Sequence, residues 1–161
     1  MGIREMLLGK IKAQIAPLER ELKIELPRLL AEAAAHGDLS ENAEYDAAKQ
    51  RKEIVQAHLA TLYKKKASVS SINPEMIARD AIGFWSSVQL CDRDSGDEVT
   101  YRLVTAGESD PPHGMISVTS PIGRALLGRR TGDEVVVDTP RGKRTYEVLE
   151  FATIHQDPES V

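Results

Sequence analysis

The chain is poor in aromatic side chains and nearly free of cysteine. Two Phe, one Trp and four Tyr make up 4% of its 161 residues, so the core has to be built from Leu, Ile, Val and Ala. The single cysteine, Cys91, excludes an intramolecular disulfide and a cysteine-based zinc site. In its strand-like run Cys91 reads as a small buried hydrophobe. No apolar run approaches the ~20 residues of a membrane-spanning helix, and Met1–Met6 does not open a signal peptide. A soluble, cytoplasmic protein with no membrane partner is expected. There is no strong charge excess: 21 Lys+Arg stand against 25 Asp+Glu, a net charge of −4. Residues 1–66 hold 12 basic and 10 acidic residues, a net of +2, and residues 67–161 hold 9 and 15, a net of −6. Neither half has the basic excess of a protein that grips nucleic acid by its phosphates alone. There is no Gly-rich phosphate loop and no recognisable Ser-His-Asp motif.

What is present falls into two halves with different periods. In the first, Leu8, Ile11, Ile15, Leu18, Leu22, Leu26, Leu29 and Ala33 recur at steps of three and four, one apolar stripe on a helix. Ala48, Val55 and Leu62, with Leu59 beside them, form a second stripe. Two such helices close in sequence predict an antiparallel coiled-coil hairpin, each burying its stripe against the other. Pro17 and Pro27 each remove a backbone donor. Pro17 therefore reads as the first residue of the long helix, with residues 3–15 either a separate element or its continuation. The segment Ala33–Glu41 turns the chain: Gly37 suits the left-handed position after a helix, Asp38 the N-cap of the next, and Glu41 the matching capping-box acid.

The second half has period two. After a linker-like Ser68–Pro74, strands are expected at Gly83–Leu90, Val99–Thr105, Met115–Val118, Glu134–Asp138 and Thr145–Ile154. Asp94–Asp97 and Thr139–Gly142 supply turns, and Ser120-Pro121 starts a short helix closed by Gly128. Phe84 and Trp85 are expected to anchor this core. The fold class is α+β: a helical hairpin over residues 1–73, its tip around 36–42, and a small antiparallel sheet with one helix over residues 74–161. The last residues, from Gln156, read as a frayed end.

Four stretches carry a family signature: HGDLSENAEYDAAK (His36–Lys49), GDEVTYRLV (Gly96–Val104), ISVTSPIGRALLG (Ile116–Gly128) and GDEVVVDTPRGKRTYEVL (Gly132–Leu149). They resemble, in order and spacing, the Gre-type bacterial transcript cleavage factors, closest to the GreA branch, over about residues 5–155. The resemblance implies an accessory factor, not an enzyme. Its hairpin enters the secondary channel of RNA polymerase, and its tip acids help the polymerase cleave backtracked nascent RNA. Onto this chain those acids fall on Asp38 and Glu41. Asp38 is assigned mainly to a catalytic Mg²⁺ shared with the polymerase and not held tightly by the free protein. Glu41 binds the same ion or positions the attacking water. Two carboxylates suit magnesium, a hard ion that usually takes one or two of them and completes its shell elsewhere. His36, a nitrogen ligand, suits it poorly. Glu44 either tunes the field at the tip or is a solvated helix acid.

The same resemblance places contact with the RNA 3′ end on Lys49, Arg51 and Lys52, whose plain reading is a solvated basic face. Ala34 stands where the family often has a basic residue, which predicts weaker RNA contact and a preference for short backtracks. The second half resembles the family's FKBP-like domain, which docks on a coiled coil at the channel rim. Ser117, Thr119, Ser120 and Pro121 are the polymerase-binding residues, with Thr119 where Asn or Asp is common. The free protein is expected to be a monomer. Two other functions remain open: a channel-blocking inhibitor built on the same fold, and a prolyl isomerase or chaperone. The scarcity of aromatics weighs against the latter.

Overall fold

The computed structural model describes residues 2–37 and 42–158. Two compact units emerge: Leu8–Ser70, and Met1–Leu7 together with Ser71–Val161. Among the described residues no helix is long and apolar enough to cross a membrane.

The first unit is the helical hairpin. Helix α1 spans Ile3–Arg20, a π-helical turn covers Glu21–Glu25, α2 spans Leu26–Ala35 and α3 spans Ala43–Ser71. Helix therefore continues back to Ile3, and Pro17 lies inside α1 rather than starting a helix. The irregularity sits at Pro27 instead. Pro27 has no N–H to donate to the preceding turn. Just before it the ladder lengthens by one residue, and the Leu26 N–H donates to the Glu21 carbonyl five residues back. Ile11, Ile15, Leu26 and Ala33 are buried on one arm, and Ala48, Val55, Leu59 and Leu62 on the other. Leu29 is 43% exposed, against the stripe reading; the inward edge of α2 runs from Leu26 to Ala33, seven residues apart. The expected linker is also shorter than its composition suggests. α3 runs on to Ser71, with Ser68 and Val69 buried, because apolar burial outweighs the weak helix preference of a Ser/Val run.

The second unit is a five-stranded sheet in the order β3-β2-β1-β5-β4. Its strands are β1 (Ser87–Asp92), β2 (Glu98–Val104), β3 (Met115–Ser117), β4 (Glu134–Thr139) and β5 (Gly142–Ala152). The sheet is mixed, not purely antiparallel: β3 runs parallel to β2, Arg102 opposite Met115. The connection between them, from Thr105 to Gly114, carries two 3₁₀ turns and returns β3 to the sheet in the direction of β2. Helix α4 (Pro121–Leu126) follows β3. Ile82, Val88, Leu90, Leu103, Leu126 and Val148 form the centre of the core.

The first expected strand starts later than its apolar residues imply. Trp85 has φ 60°, a left-handed conformation, and Ser86 N–H turns back to the Gly83 carbonyl. This costs a non-glycine residue on the order of 1–3 kcal/mol. Two bonds to its backbone hold it: Trp85 N–H donates to the Leu103 carbonyl at 2.7 Å, and the Trp85 carbonyl accepts from the Arg102 side chain, Nη1, at 2.9 Å. The indole is buried with Phe84 edge-on at 6.2 Å. Cys91 is half-buried rather than buried.

The β1–β2 turn is built around a buried acid. Asp92 accepts from the Asp94 N–H at 2.9 Å, the Ser95 N–H at 3.3 Å and Arg144 Nη1 at 2.7 Å. These bonds, the Asp94 amide foremost, hold its pKa below the ordinary 3.8. A depressed folded pKa contributes stability that is complete above the unfolded value. That contribution is lost as pH falls from about 4 through the folded value. Asp92→Asn is expected to flatten the loss of unfolding free energy below about pH 4, measured by denaturant titration across the acid range.

Candidate functional site

The hairpin turn is closed from both arms by one side chain. α2 ends at Ala35, His36 N–H donates to the Ala33 carbonyl at 3.2 Å, and Gly37 follows with φ 114°, a conformation open to glycine. On the far side Asn42 caps α3: its Oδ1 accepts from the Tyr45 N–H at 3.1 Å. Its Nδ2 donates across the hairpin to the Ala33 carbonyl at 2.6 Å. The described part of the helix thus begins at Ala43 with its cap filled by an amide, and the expected Asp38/Glu41 capping box falls on residues 38–41. Asp38 and Glu41 themselves lie outside the described residues. Asn42→Ala removes both bonds at once and is expected to lower stability by about 1–2 kcal/mol. Thermal unfolding and amide exchange at Tyr45 would report it.

Next to the turn, a groove of about 410 Å³ runs between the arms. Leu26, Leu29, Ala33, Ala47 and Ala48 line it, with His36, Glu44 and the Arg51–Glu21 pair among its polar residues. His36 and Glu44 are exposed. The three basic residues differ in state. Arg51 meets Glu21 at two points, Nε to Oε1 at 2.6 Å and Nη2 to Oε2 at 2.9 Å. The Arg51 hydrogen bond, then its charge, pull the Glu21 carboxyl below its ordinary range. Lys49 and Lys52 are exposed, and no ion pair engages either among the described residues.

The second cluster sits at the junction of β3 and α4. Ser117 Oγ lies 2.7 Å from Thr119 Oγ1 and accepts the Thr119 N–H at 3.1 Å. Ser120 Oγ donates to the Ser117 carbonyl at 2.6 Å and accepts the Gly123 N–H at 3.1 Å, capping α4 with Pro121 in its first turn. Thr119 and Pro121 are exposed, Ser120 is half-buried and Ser117 is buried. The Thr119 hydroxyl, in place of an amide or acid, is engaged within the loop.

Two sequence profiles match the chain. One, "Transcription elongation factor, N-terminal", covers residues 8–69; the other, "Transcription elongation factor, GreA/GreB, C-term", covers residues 77–153. The chain belongs to the GreA/GreB family of transcription elongation factors. It is 46% identical to transcription elongation factor GreA of Syntrophotalea carbinolica over 138 residues, covering 84% of this chain and 87% of that one. It is 45% identical to the GreA of Anaeromyxobacter sp. over 150 residues, covering 93% and 90%. Among solved structures it is similar to Gfh1 of Thermus aquaticus, at 28% identity and TM-score 0.42, with 92% of this chain and 96% of that one covered.

Within this GreA/GreB family chain, His36, Gly37 and Asn42 bracket the turn, Arg51 and Glu44 lie beside its groove, and Ser117–Pro121 form one hydrogen-bonded loop. No group of three His, Cys, Asp or Glu able to hold a metal occurs among the described residues. Asn42 and Glu21 are the two residues that sequence reasoning passed over. Asn42 had a readable signal, a favoured cap type three residues before Tyr45. Glu21 had none, because its partner is 30 residues away.

Proposed function

We propose that this protein binds RNA polymerase, inserts its hairpin into the secondary channel and stimulates the polymerase's own cleavage of backtracked nascent RNA. It is an accessory factor and supplies no complete active centre. The observation that carries this reading is Asn42. Its side chain caps α3 and ties it to the opposite arm, so this helix start is held by an amide with no carboxylate in that bond pair.

Asp38 and Glu41 are the residues that would hold Mg²⁺ together with the polymerase. Both are hard oxygen donors, and a pair of them leaves coordination positions to water and phosphate. The ion, when bound, supplies Lewis-acid polarisation of the scissile phosphate and a more acidic attacking water. Asp38 would hold the ion, and Glu41 would share it or position the attacking water. Asn42 fixes the start of α3 relative to Ala33 and so limits how far the turn's ends can separate. Lys49 and Lys52 offer their ammonium groups to the 3′ end of the extruded RNA, and Arg51 stands with them. Residues 74–161, an FKBP-like unit in this reading, dock on the coiled coil at the channel rim through Ser117, Thr119, Ser120 and Pro121, while residues 1–73 carry the hairpin. The free protein is monomeric and works in the bacterial cytoplasm.

A purified elongation complex, stalled and backtracked at fixed Mg²⁺, tests this directly. Addition of the protein is expected to shorten the RNA from its 3′ end and to restore elongation. Unchanged RNA with slowed elongation would instead identify a channel-blocking inhibitor.

A further inference from the structure

The hairpin presents its basic residues unequally, and Glu21 is the reason. Arg51 projects from α3 and Glu21 from the π-helical turn of the opposite arm, and the two meet edge to edge through a pair of short bonds. Such a two-point pair is directional and charge-assisted. It carries no net charge, so an approaching phosphate meets a dipole whose carboxylate repels it. The Glu21 side chain is only 21% exposed, so water screens the pair incompletely on that side. Lys49 and Lys52 enter no such pair among the described residues. The backbone makes this placement specific. The π-turn ahead of Pro27, with the Leu26 N–H on the Glu21 carbonyl, fixes the residue from which the carboxylate reaches across.

We propose that Glu21 is a specificity-determining residue: by neutralising Arg51 it withholds one cation from extruded RNA and confines the protein to shallow backtracks. This rests on the RNA-cleavage reading above and adds to it a residue on the opposite arm. Glu21 acts through Arg51 and touches no reacting atom. Removing its charge restores a free guanidinium that can fork onto a phosphate. A longer extruded RNA passes more phosphates along the hairpin, so it gains most from that cation.

The test uses the full-length chain as wild type, Glu21→Gln, Arg51→Ala and the double variant, on polymerase complexes stalled with shallow and with deep backtracks. Glu21→Gln is expected to raise deep-backtrack cleavage about three- to tenfold and to leave shallow cleavage within about twofold. The yield of crosslinks from a photoreactive RNA 3′ nucleotide to the hairpin should rise in parallel. The gain should vanish in the double variant and shrink as salt is raised. A gain that survives Arg51→Ala, or a deep-to-shallow ratio equal to wild type in a Glu21→Gln protein with unchanged thermal midpoint, overturns the proposal. Shallow cleavage by the wild type, read on the same gel, separately checks the underlying function.

Discussion

Replacing Asp38 or Glu41 with alanine will cut stimulated transcript cleavage by about a hundredfold or more while leaving polymerase binding within about twofold. The expectation separates catalysis from docking. Binding in this reading is spread over the hairpin and the Ser117–Pro121 loop. In the same proposed reading the acids would act where negative charge and a metal ion meet at the scissile phosphate. Asp38→Asn and Glu41→Gln keep shape and hydrogen-bonding atoms but remove charge. They should behave like the alanine variants if metal binding is what the acids contribute. Because the described cap of α3 is the Asn42 side chain, all four proteins are expected to unfold within about 1 kcal/mol of wild type. Two measurements decide it: RNA cleavage in a stalled complex, and competition of each variant with labelled wild type for polymerase. Cleavage at the parent rate by both alanine variants would remove the basis of the mechanism.

Gly123→Ala is expected to have the largest effect on stability. A methyl group at this position would lie 2.0 Å from the Ser117 carbonyl oxygen and 2.9 Å from both the Ser117 carbonyl carbon and Val118 Cα. All three are backbone atoms, so no side-chain rotation can relieve the overlap. Gly123 also donates its N–H to the Ser120 cap, so α4 has to move away from β3 as a body or lose its first turn. The expected cost is about 3 kcal/mol or more, seen as a lower thermal midpoint of the sheet-bearing unit. The same displacement pulls apart Ser117, Thr119 and Ser120, so polymerase affinity should fall with stability. Thr119→Ala provides the contrast. It removes an exposed hydroxyl that, among the described residues, bonds to Ser117 and should change stability by less than about 1 kcal/mol, so any large loss of affinity in that variant belongs to docking.

How far these features could be read from residues alone depended on how local their causes are. The two apolar stripes, the Ser120-Pro121 helix start and the Gly96 and Gly142 turns were legible because each is set by side chains within a few positions of one another. In those segments periodicity, capping and backbone freedom all pointed the same way. The hairpin and the sheet-with-helix unit followed. The acids of the turn were legible as candidates, whereas the part played by Asn42 was not, because several residue types that favour a helix cap stand close together before α3. The amide of Asn42 makes two bonds where a carboxylate, having no donor, makes at most the capping one.

Features that join distant residues were decided only in three dimensions. The parallel pairing of β3 with β2 depends on how a ten-residue connection folds back, and alternation along a strand is the same for either direction. The left-handed Trp85 is held by Leu103 and Arg102 from the neighbouring strand, where its own aromatic, strand-favouring character pointed to an extended chain. Arg51 looked like one of three equivalent cations until Glu21, on the opposite arm, took its guanidinium. Composition and pattern thus determined which elements form and which chemical groups the hairpin carries. Packing determined which of those groups remain available, because a charge or cap is claimed by whatever partner folding brings within about 3 Å of it.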